Sequence, residues 1–352
     1  MSLDLLVRFP GRAPTCRILV ARGALDRLGR ATRRATGATR VALITDRRVG
    51  RLHGRRAIAA LRGAGCEVAT ITVPAGERAK SARELARVWR ALAGLEVGRG
   101  DAVVALGGGA LLDAAGFAAA SWLRGIPWVG APTTLLAQVD ASVGGKTAID
   151  LPSGKNLVGA FHQPALVLAD PDTLATLPAR QLRAGLAEVV KMGMAVDATL
   201  FRWVERHAAV LSRGDPRALA EVARRALRAK LRVVRRDVFE REGGPRTALN
   251  YVHTLGHAIE AAQGFRGLLH GEAVAIGMRA AAALSERVDG LSPRARVRQD
   301  ALLDALGLPR RIPGTPLARL ERSMRRDKKR VGGEIRWVLT PRMGHASVPR
   351  PI

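Results

Sequence analysis

Two histidines four residues apart, His253 and His257, have the spacing that most clearly permits metal chemistry in this sequence. They lie in an apolar-periodic segment, and residues four apart on a helix share one face. A third histidine, His270, stands at the head of the next predicted helix. Two imidazoles and one carboxylate are a common ligand set for a catalytic divalent ion, which keeps a coordination position open for substrate. The sequence therefore predicts a metal centre.

Three glutamates could supply the carboxylate: Glu188, Glu260 and Glu272. We favour Glu188, because it lies on an otherwise apolar helix face where an unpaired acid would be costly. The only cysteines are Cys16 and Cys66, and they form no C-x-x-C pair. Neither a disulfide framework nor a thiolate zinc cluster is therefore available, and any metal must be held by histidine and carboxylate.

A glycine-rich turn predicts a second binding site. The strand-like run 102–106 ends in three consecutive glycines, the last two being Gly108 and Gly109, and a helix containing Asp113 follows. Consecutive glycines let backbone amides approach a pyrophosphate at a helix N-terminus. Asp46 ends an earlier predicted strand and suits a ribose hydroxyl, while the polar segment with Glu77 and Lys80 follows another strand. Together these features predict a dinucleotide, although the pattern is not the G-x-G-x-x-G fingerprint.

Lysine is scarce in this chain, since only seven of its 58 basic residues are lysines. A position that keeps lysine among so many arginines suggests a need for a compact ammonium with a tunable pKa. Lys146 and Lys155 both follow glycine and stand within ten residues of one another, which predicts an anion cradle. The spacing lacks the Walker A pattern, so an ATPase receives little support.

Composition limits the classes of function. A chain of 352 residues with 47% hydrophobic content is long enough for about two domains. The net charge of +28 raises nucleic-acid binding as a hypothesis, but the arginines are dispersed and aromatic residues make up only 3% of the chain. A solvated basic surface without a nucleic-acid partner is favoured. The sequence contains no long apolar run and no secretory pattern at its start, so we expect a cytosolic protein without a membrane partner.

Hydrophobic periodicity predicts two domains of different class. Strands are predicted at 16–20, 41–45, 68–73, 102–106, 128–131 and 166–169, with helices at 57–62, 82–93 and 111–122. This alternation predicts an α/β domain with a parallel sheet over residues 1–177. Helices are then predicted at 181–194, 198–211, 217–238, 248–263 and 272–287, followed by a β-ribbon at 335–339 and 345–348. We expect a mostly α-helical domain over residues 178–352.

Taken in order, seven motifs resemble the 3-dehydroquinate synthase family over residues 46–336. They are Gly107-Gly108-Gly109 with Asp113, the run 132–140, Gly144-Gly145-Lys146-Thr147, Gly154-Lys155-Asn156, Ala187-Glu188-Val189, His253-Thr254 and His270-Gly271-Glu272. Each motif is weak alone, whereas the ordered set is highly specific. Two positions depart from the family pattern: Val252 stands where glycine is usual, and Val238 where glutamate is common.

The resemblance implies a Rossmann-like NAD-binding domain, a helical metal-binding domain and a homodimer. It implies zinc or cobalt on Glu188, His253 and His270. Around NAD it places Asp46, Glu77, Lys80, Gly108, Gly109, Asp113, Thr133, Thr134, Lys146 and Lys155. The implied reaction converts the sugar phosphate 3-deoxy-D-arabino-heptulosonate 7-phosphate to 3-dehydroquinate and phosphate in the shikimate pathway. NAD is reduced and reoxidised within each turnover, so it is not consumed.

The resemblance also implies roles for polar residues around this anionic substrate. The phosphate would be met by Lys146, Asn156, Arg246 and one of Lys328 or Lys329, with Arg124 reaching across from the partner subunit. Lys230 and Arg246 would hold the carboxylate. Hydroxyl contact and proton relay would fall to Asp140, Lys191, Asn250 and His257. His257 is then a catalytic neighbour of the metal rather than a ligand.

Two other enzyme classes remain as alternatives. Another sugar phosphate cyclase, such as 2-deoxy-scyllo-inosose synthase, would share NAD, metal and fold but use a substrate without the carboxylate. The presence of Lys191, Lys230, Arg246, Asn250 and His257 together favours the carboxylate-bearing substrate. A metal-dependent polyol dehydrogenase would instead form NADH as a net product.

Overall fold

The computed structural model describes residues 2–8, 15–264, 267–325, 330–331 and 334–352. The chain divides into two compact units, Met1–Leu177 and Pro178–Ile352. Within the described residues, no helix is long and apolar enough to cross a membrane. Lys328 and Lys329 lie outside the described residues.

The first unit contains a seven-stranded sheet in the order β1-β2-β9-β6-β5-β3-β4, in which only β1 and β2 pair antiparallel. Its strands are β1 Leu3–Val7, β2 Cys16–Val20, β3 Arg40–Asp46, β4 Glu67–Val73, β5 Ala102–Gly107, β6 Trp128–Pro132 and β9 Leu166–Ala169. A separate hairpin pairs β7 Lys146–Leu151 with β8 Gly154–Phe161. Every residue of β5 is buried, as expected for a central strand of a parallel sheet covered on both faces. The predicted α/β class is confirmed.

The helices of this unit are α1 Leu28–Thr36, α2 Arg47–Val49, α3 Arg55–Arg62, α4 Ala82–Gly94 and α5 Gly109–Ser121. A π-helical segment, Gly50–Gly54, joins α2 to α3, so helical structure starts ten residues before the predicted bound at 57. The cause is Asp46, whose side chain accepts hydrogen bonds from the amides of Arg48 at 2.8 Å and Val49 at 3.0 Å.

The β7–β8 hairpin, which no local sequence pattern predicts, packs on α5 through a glycine. A β-carbon built on Gly116 would stand 2.5 Å from Cγ2 of Thr147 on β7. Only glycine allows so close an approach without a shift of the hairpin. Gly116 therefore sets the position of the strands that carry Lys155 and Asn156.

The second unit is mostly helical, as predicted. Its helices are α6 Ala179–Ala195, α7 Ala198–Ser212, α8 Pro216–Val234, α9 His253–Ala262, α10 His270–Val288, α11 Pro293–Ala305 and α12 Leu317–Arg325. Three short strands, β10 Arg330–Val331, β11 Glu334–Trp337 and β12 Arg350–Pro351, form a small antiparallel sheet.

Two predicted elements of this unit are wrong in part. The helix expected over 248–263 begins only at His253, because Val252 has a left-handed backbone with φ of 73° and the preceding Pro245–Asn250 forms a 3₁₀ turn. The strand expected at 345–348 does not form. Instead, Gly344 at φ of 83° closes a tight turn with an Arg342–His345 bridge, and β11 pairs with β10 and β12.

Candidate metal centre and dinucleotide site

Three side chains of the second unit converge on one point. Glu188 of α6, His253 of α9 and His270 of α10 each offer a ligand atom, and these atoms all lie within 4.8 Å of one another. Glu188 is completely buried, and His270 Nε2 lies 3.2 Å from its Oε1. Two imidazole nitrogens and a carboxylate oxygen this close fit Zn²⁺ or Co²⁺, since small side-chain rotations would bring them onto one ion.

Close helix contacts bring these residues together. A β-carbon on Gly271, at the start of α10, would stand 1.9 Å from the carbonyl oxygen of Ala184 on α6. A β-carbon on Gly277 of α10 would stand 3.0 Å from the carbonyl oxygen of Val252, just before α9. The absence of side chains at both glycines lets α10 approach its two neighbours at backbone distance.

Glu260 of α9 holds the other ring nitrogen of His270. Its Oε2 lies 3.0 Å from Nδ1, while Glu188 faces Nε2. Burial alone would lower the pKa of His270, but the hydrogen bonds to Glu188 and Glu260 raise it to about 10. A carboxylate on the far nitrogen fixes the ring orientation and tautomer of a histidine ligand. Glu260 also groups with His257 and His270 as a second candidate set, but its contact with Nδ1 suits an orienting role better.

Glu272, the third carboxylate that the sequence offered, is engaged elsewhere. It forms a two-bond ion pair with Arg180, at 2.7 Å for each bond, and accepts the backbone N–H of Leu269 at 2.8 Å. Burial raises the pKa of Glu272, but Arg180 and the Leu269 amide lower it further than burial raises it. Glu272 thus stabilises the start of α10, and Arg180 is a partner that sequence reasoning missed.

Two proposed catalytic residues adjoin the metal cluster. Lys191 is almost completely buried, and its Nζ lies 2.5 Å from Oε2 of Glu188. The His257 ring meets His253 edge-on with centroids 4.9 Å apart, and its centroid lies 6.1 Å from that of His270. Both side chains therefore lie next to the groups that could hold an ion.

The expected carboxylate-binding residues belong to the same unit. The 3₁₀ turn that carries Arg246 and Asn250 packs against both α6 and α8, and α8 carries the buried Lys230. Arg246 donates to the carbonyl of Val238 at 2.5 Å, and Asn250 donates to Oε1 of Glu240 at 2.8 Å. The contact with Glu240 was not foreseen, because no helical spacing links the two residues.

The first unit presents the glycine turn at the start of α5. Gly108 caps the helix in an extended conformation, and a β-carbon there would stand 3.2 Å from Cγ2 of Thr134. A β-carbon on Gly109 would stand 3.1 Å from that of Ala141, and the Thr133 amide donates to the Gly107 carbonyl at 2.9 Å. The glycines thus allow close packing of the turn against Thr134 and Ala141, and the bare backbone at the positive end of α5 fits a pyrophosphate.

A polar cluster around Lys80 lies in the same unit. The buried Lys80 ammonium donates to Oδ2 of Asp113 at 2.8 Å and to the side-chain oxygen of Asn156. Lys155 pairs with Glu77 at 3.2 Å. Burial alone would lower the pKa of Lys80, but the charge and hydrogen bond of Asp113 raise it. Two of the scarce lysines and one of the two asparagines thus come together from separate parts of the chain.

The remaining expected residues of this unit lie on different elements. Asp140 belongs to the π-helical Ala137–Ala141, and the Thr134 hydroxyl accepts the Ala137 amide at 3.2 Å. Lys146 is exposed at the start of β7. Arg124 is exposed in a turn with φ of 70°. Asp150 of β7, which sequence reasoning did not single out, accepts the Asn156 amide at 2.8 Å and so shapes the Lys80 cluster.

Comparison with known proteins gives consistent matches. Residues 70–184 match the family described as 3-dehydroquinate synthase N-terminal, and residues 185–330 match its C-terminal counterpart. A 3-dehydroquinate synthase from Symbiobacterium thermophilum is 49% identical over 335 residues, which cover 94% of this chain and 92% of the relative.

Solved structures of two sugar cyclases are also similar to this chain. A 2-deoxy-scyllo-inosose synthase complexed with carbaglucose-6-phosphate, NAD⁺ and Co²⁺ has a TM-score of 0.90 at 27% identity, over 99% of this chain and 96% of that one. A 2-epi-5-epi-valiolone synthase from Streptomyces hygroscopicus subsp. jinggangensis, with NAD⁺ and Zn²⁺ bound, has a TM-score of 0.87 at 29% identity, over 98% and 94% of the chains.

Proposed function

The chain belongs to the 3-dehydroquinate synthase family, and from that premise we propose how its residues carry out the family's reaction. It converts the sugar phosphate 3-deoxy-D-arabino-heptulosonate 7-phosphate to 3-dehydroquinate and phosphate, using NAD and one divalent metal. The observation that carries the residue assignment is the convergence of Glu188, His253 and His270 beside the buried Lys191.

Glu188, His253 and His270 hold the metal in this proposal, with Glu260 orienting His270. When bound, the ion supplies Lewis acidity at the hydroxyl being oxidised, and NAD supplies a reversible hydride acceptor. Lys191 and His257 hold and move protons at the substrate hydroxyls, which their proximity to the cluster supports. Asp140 contributes hydroxyl contact and proton relay, as the family resemblance implies.

The substrate anions require cationic side chains. Lys230 and Arg246 hold the carboxylate, where the planar guanidinium fork of Arg246 can donate two parallel bonds, and Asn250 contacts a hydroxyl. Lys146, Asn156, Arg246 and Lys328 or Lys329 meet the phosphate. Because these carboxylate contacts would have no partner on a sugar phosphate that lacks a carboxylate, they support the heptulosonate phosphate over the substrates of related cyclases.

The dinucleotide is assigned to the first unit. Gly108 and Gly109 receive the pyrophosphate at the start of α5, and Asp46 accepts a ribose hydroxyl. The remaining NAD contacts are assigned to Glu77, Lys80, Asp113, Thr133, Thr134, Lys146 and Lys155. The cluster in which Lys80 joins Asp113 and Asn156 supports this assignment, because it orders polar groups beside the glycine turn.

We also propose that the enzyme is a homodimer, with Arg124 reaching the partner's site. Support comes from β8, which pairs on one side with β7 and exposes Leu157, Val158 and Phe161. An apolar strand edge of this kind favours pairing with another chain. Light scattering of the purified enzyme tests the assembly: a mass of one chain at micromolar concentration contradicts it. The cytosolic location expected from the sequence stays a prediction.

One assay tests the reaction. Phosphate release from the heptulosonate phosphate is measured with and without a chelator, while NADH absorbance is followed in the same cuvette. We expect chelator-sensitive phosphate release without lasting NADH. Net NADH formation would identify a polyol dehydrogenase and overturn the proposal. Preferred turnover of a sugar phosphate without the carboxylate would identify another cyclase instead.

A further inference from the structure

An open groove of about 940 Å³ lies in the first unit, between the helical stretch from α2 to α3 and strands β3 and β4. Its floor includes Thr70 and Thr72 of β4, both of which are exposed. Asp46, the last residue of β3, also lines the groove. The lining also includes the apolar Leu43, Ile58 and Ala59, so the threonine hydroxyls are isolated polar groups available to a ligand.

The groove is open because two helical positions carry no side chain. Gly50 and Gly54 both line it, four residues apart in the π-helical segment. A β-carbon on Gly54 would have nothing within 4 Å, and one on Gly50 would meet only Thr45. Glycine is unfavourable inside a helix, and π-helical turns occur frequently at functional sites. The two glycines thus leave space beside the helix backbone, although they make the helix less stable.

A row of arginines borders this space. Arg47, Arg51 and Arg55 follow one another at four-residue intervals, so they share a helix face, and Arg62 continues the lining along α3. Within the described residues, none of the four forms an ion pair, and the side chain of Arg51 bonds only to the Arg47 carbonyl. In contrast, Arg56 of the same helix is paired with Asp26 at 2.8 Å. With four arginines and the single carboxylate of Asp46 in its lining, the groove presents a net positive charge.

We propose that this groove binds a chain of phosphate groups, such as inorganic tripolyphosphate or the triphosphate of a nucleotide. Guanidinium groups bind phosphate oxygens through paired hydrogen bonds, and residues four apart on a helix are separated by about 6 Å along its axis. An extended anion can therefore contact Arg51 and Arg55 together. The bare backbone at Gly54 leaves room for it. The groove shares Asp46 with the proposed NAD site, but its other lining residues take no part in the proposed NAD and metal sites.

Calorimetric titration of the full-length chain with tripolyphosphate and with ATP, in saturating NAD, tests the proposal. We expect R51A/R55A to weaken binding at least tenfold. G54L keeps every charge but fills the groove, and it should weaken binding by a similar factor. The control is R30A/R34A, which removes two exposed arginines four apart on α1 and should change the affinity less than twofold.

The outcomes separate the sources of the ligand. If ATP binds more tightly than tripolyphosphate, the site exists and its ligand is a nucleotide. If ATP binds equally or more weakly, the site exists and its ligand is free polyphosphate. Equal weakening by R30A/R34A and R51A/R55A would overturn the proposal, because general attraction to the basic surface would explain binding. Loss of binding on addition of NAD, or no binding to the wild type, would also overturn it. None of these results bears on synthase activity, which is measured separately.

Discussion

Gly271 lies so close to Ala184 that a β-carbon on the glycine would stand 1.9 Å from the alanine carbonyl oxygen. The first turn of α10 therefore rests directly on the backbone of α6. His270 precedes this glycine, and Glu188 lies one helical turn after the alanine. The glycine contact thus determines the distance between two of the three proposed metal ligands.

Substitution of Gly271 by alanine tests that relationship. We expect G271A to push α10 away from α6, to lower the free energy of unfolding by about 1–3 kcal/mol or more, and to weaken metal binding at least tenfold. Chelator competition and urea unfolding measure the two effects. G256A is the control, because its new β-carbon would meet its nearest neighbour at an ordinary 3.7 Å. Wild-type metal affinity in G271A would contradict the prediction.

Removal of the buried carboxylate charge tests the ligand assignment. E188Q should abolish turnover and metal binding, since an amide is a poor metal ligand, while circular dichroism shows that the helices remain. The substitution also leaves the ammonium of Lys191 buried without its carboxylate partner, so some loss of stability is expected. Full activity in this variant would refute Glu188 as a ligand.

Glu260 should affect the metal through His270. We expect E260Q to reduce metal affinity about 10–100-fold, because the ring loses the carboxylate that orients its far nitrogen. Activity at saturating metal should recover most of its wild-type value, which a ligand substitution would not allow. E286Q, at a partly exposed glutamate of α10 paired with Arg296, is the control. Equal metal affinities for the two variants would rule out the orienting role.

The Lys80–Asp113 pair should be needed for NAD. D113N removes the nearest negative partner of a buried ammonium, so we expect NAD affinity to fall about tenfold and stability to fall by about 1–3 kcal/mol. Equilibrium dialysis with NAD measures the first effect and thermal unfolding the second. D101N replaces another carboxylate of the same unit, which caps the Gly98 amide at 2.7 Å, and should leave NAD affinity unchanged. An unaltered NAD affinity in D113N would count against its assignment.

Asp197 gives the second unit a pH-dependent stability. It caps α7 by accepting the amides of Thr199 at 2.9 Å and Leu200 at 3.3 Å. Burial alone would raise the pKa of Asp197, but the Thr199 hydroxyl and Arg232 lower it. Because the folded pKa lies below the unfolded value, the extra stability is present above about pH 4 and is lost as the pH falls through the folded pKa.

Urea unfolding of wild type and D197A measures this contribution. The difference should be about 1–2 kcal/mol near neutral pH and should shrink below about pH 4. D197N is the control, because asparagine caps helices comparably but has no carboxyl group to titrate, so its own difference from D197A should stay constant with pH. A constant difference between wild type and D197A would contradict the prediction.

Local patterns predicted the core of the first unit well. The apolar run of β5 followed by three glycines predicts a buried strand and a tight turn, and the structure has both. Such a strand and turn can be predicted because both depend on residues that are neighbours in the sequence. The β7–β8 hairpin was missed, because exposed residues such as Leu157 and Val158 break the alternation that identifies a half-buried strand. The contact of Asn156 with Lys80 joins residues 76 positions apart, which no local pattern specifies.

For the metal centre, the sequence predicts which residue types could bind the ion, but it does not distinguish a ligand from an orienting or a structural carboxylate. Glu188, Glu260 and Glu272 were all plausible ligands from their positions in amphipathic helices. What distinguishes them is the approach of α10 to α6 and the location of Arg180, both of which are tertiary features. Spacing could have suggested Glu260 as a partner of His270, since it shares the helix face of His253 and His257.

Val252 illustrates how a buried position can be decided by backbone torsion rather than by volume. Its side chain is 2% exposed, yet its φ of 73° lies where a β-branched residue is under steric strain. At most core positions, another aliphatic residue is the easiest replacement. Here isoleucine would keep the same torsional penalty, whereas glycine would relieve it but would remove the buried side chain. The start of α9, and with it His253, therefore depends on a torsion that glycine adopts without strain and valine does not.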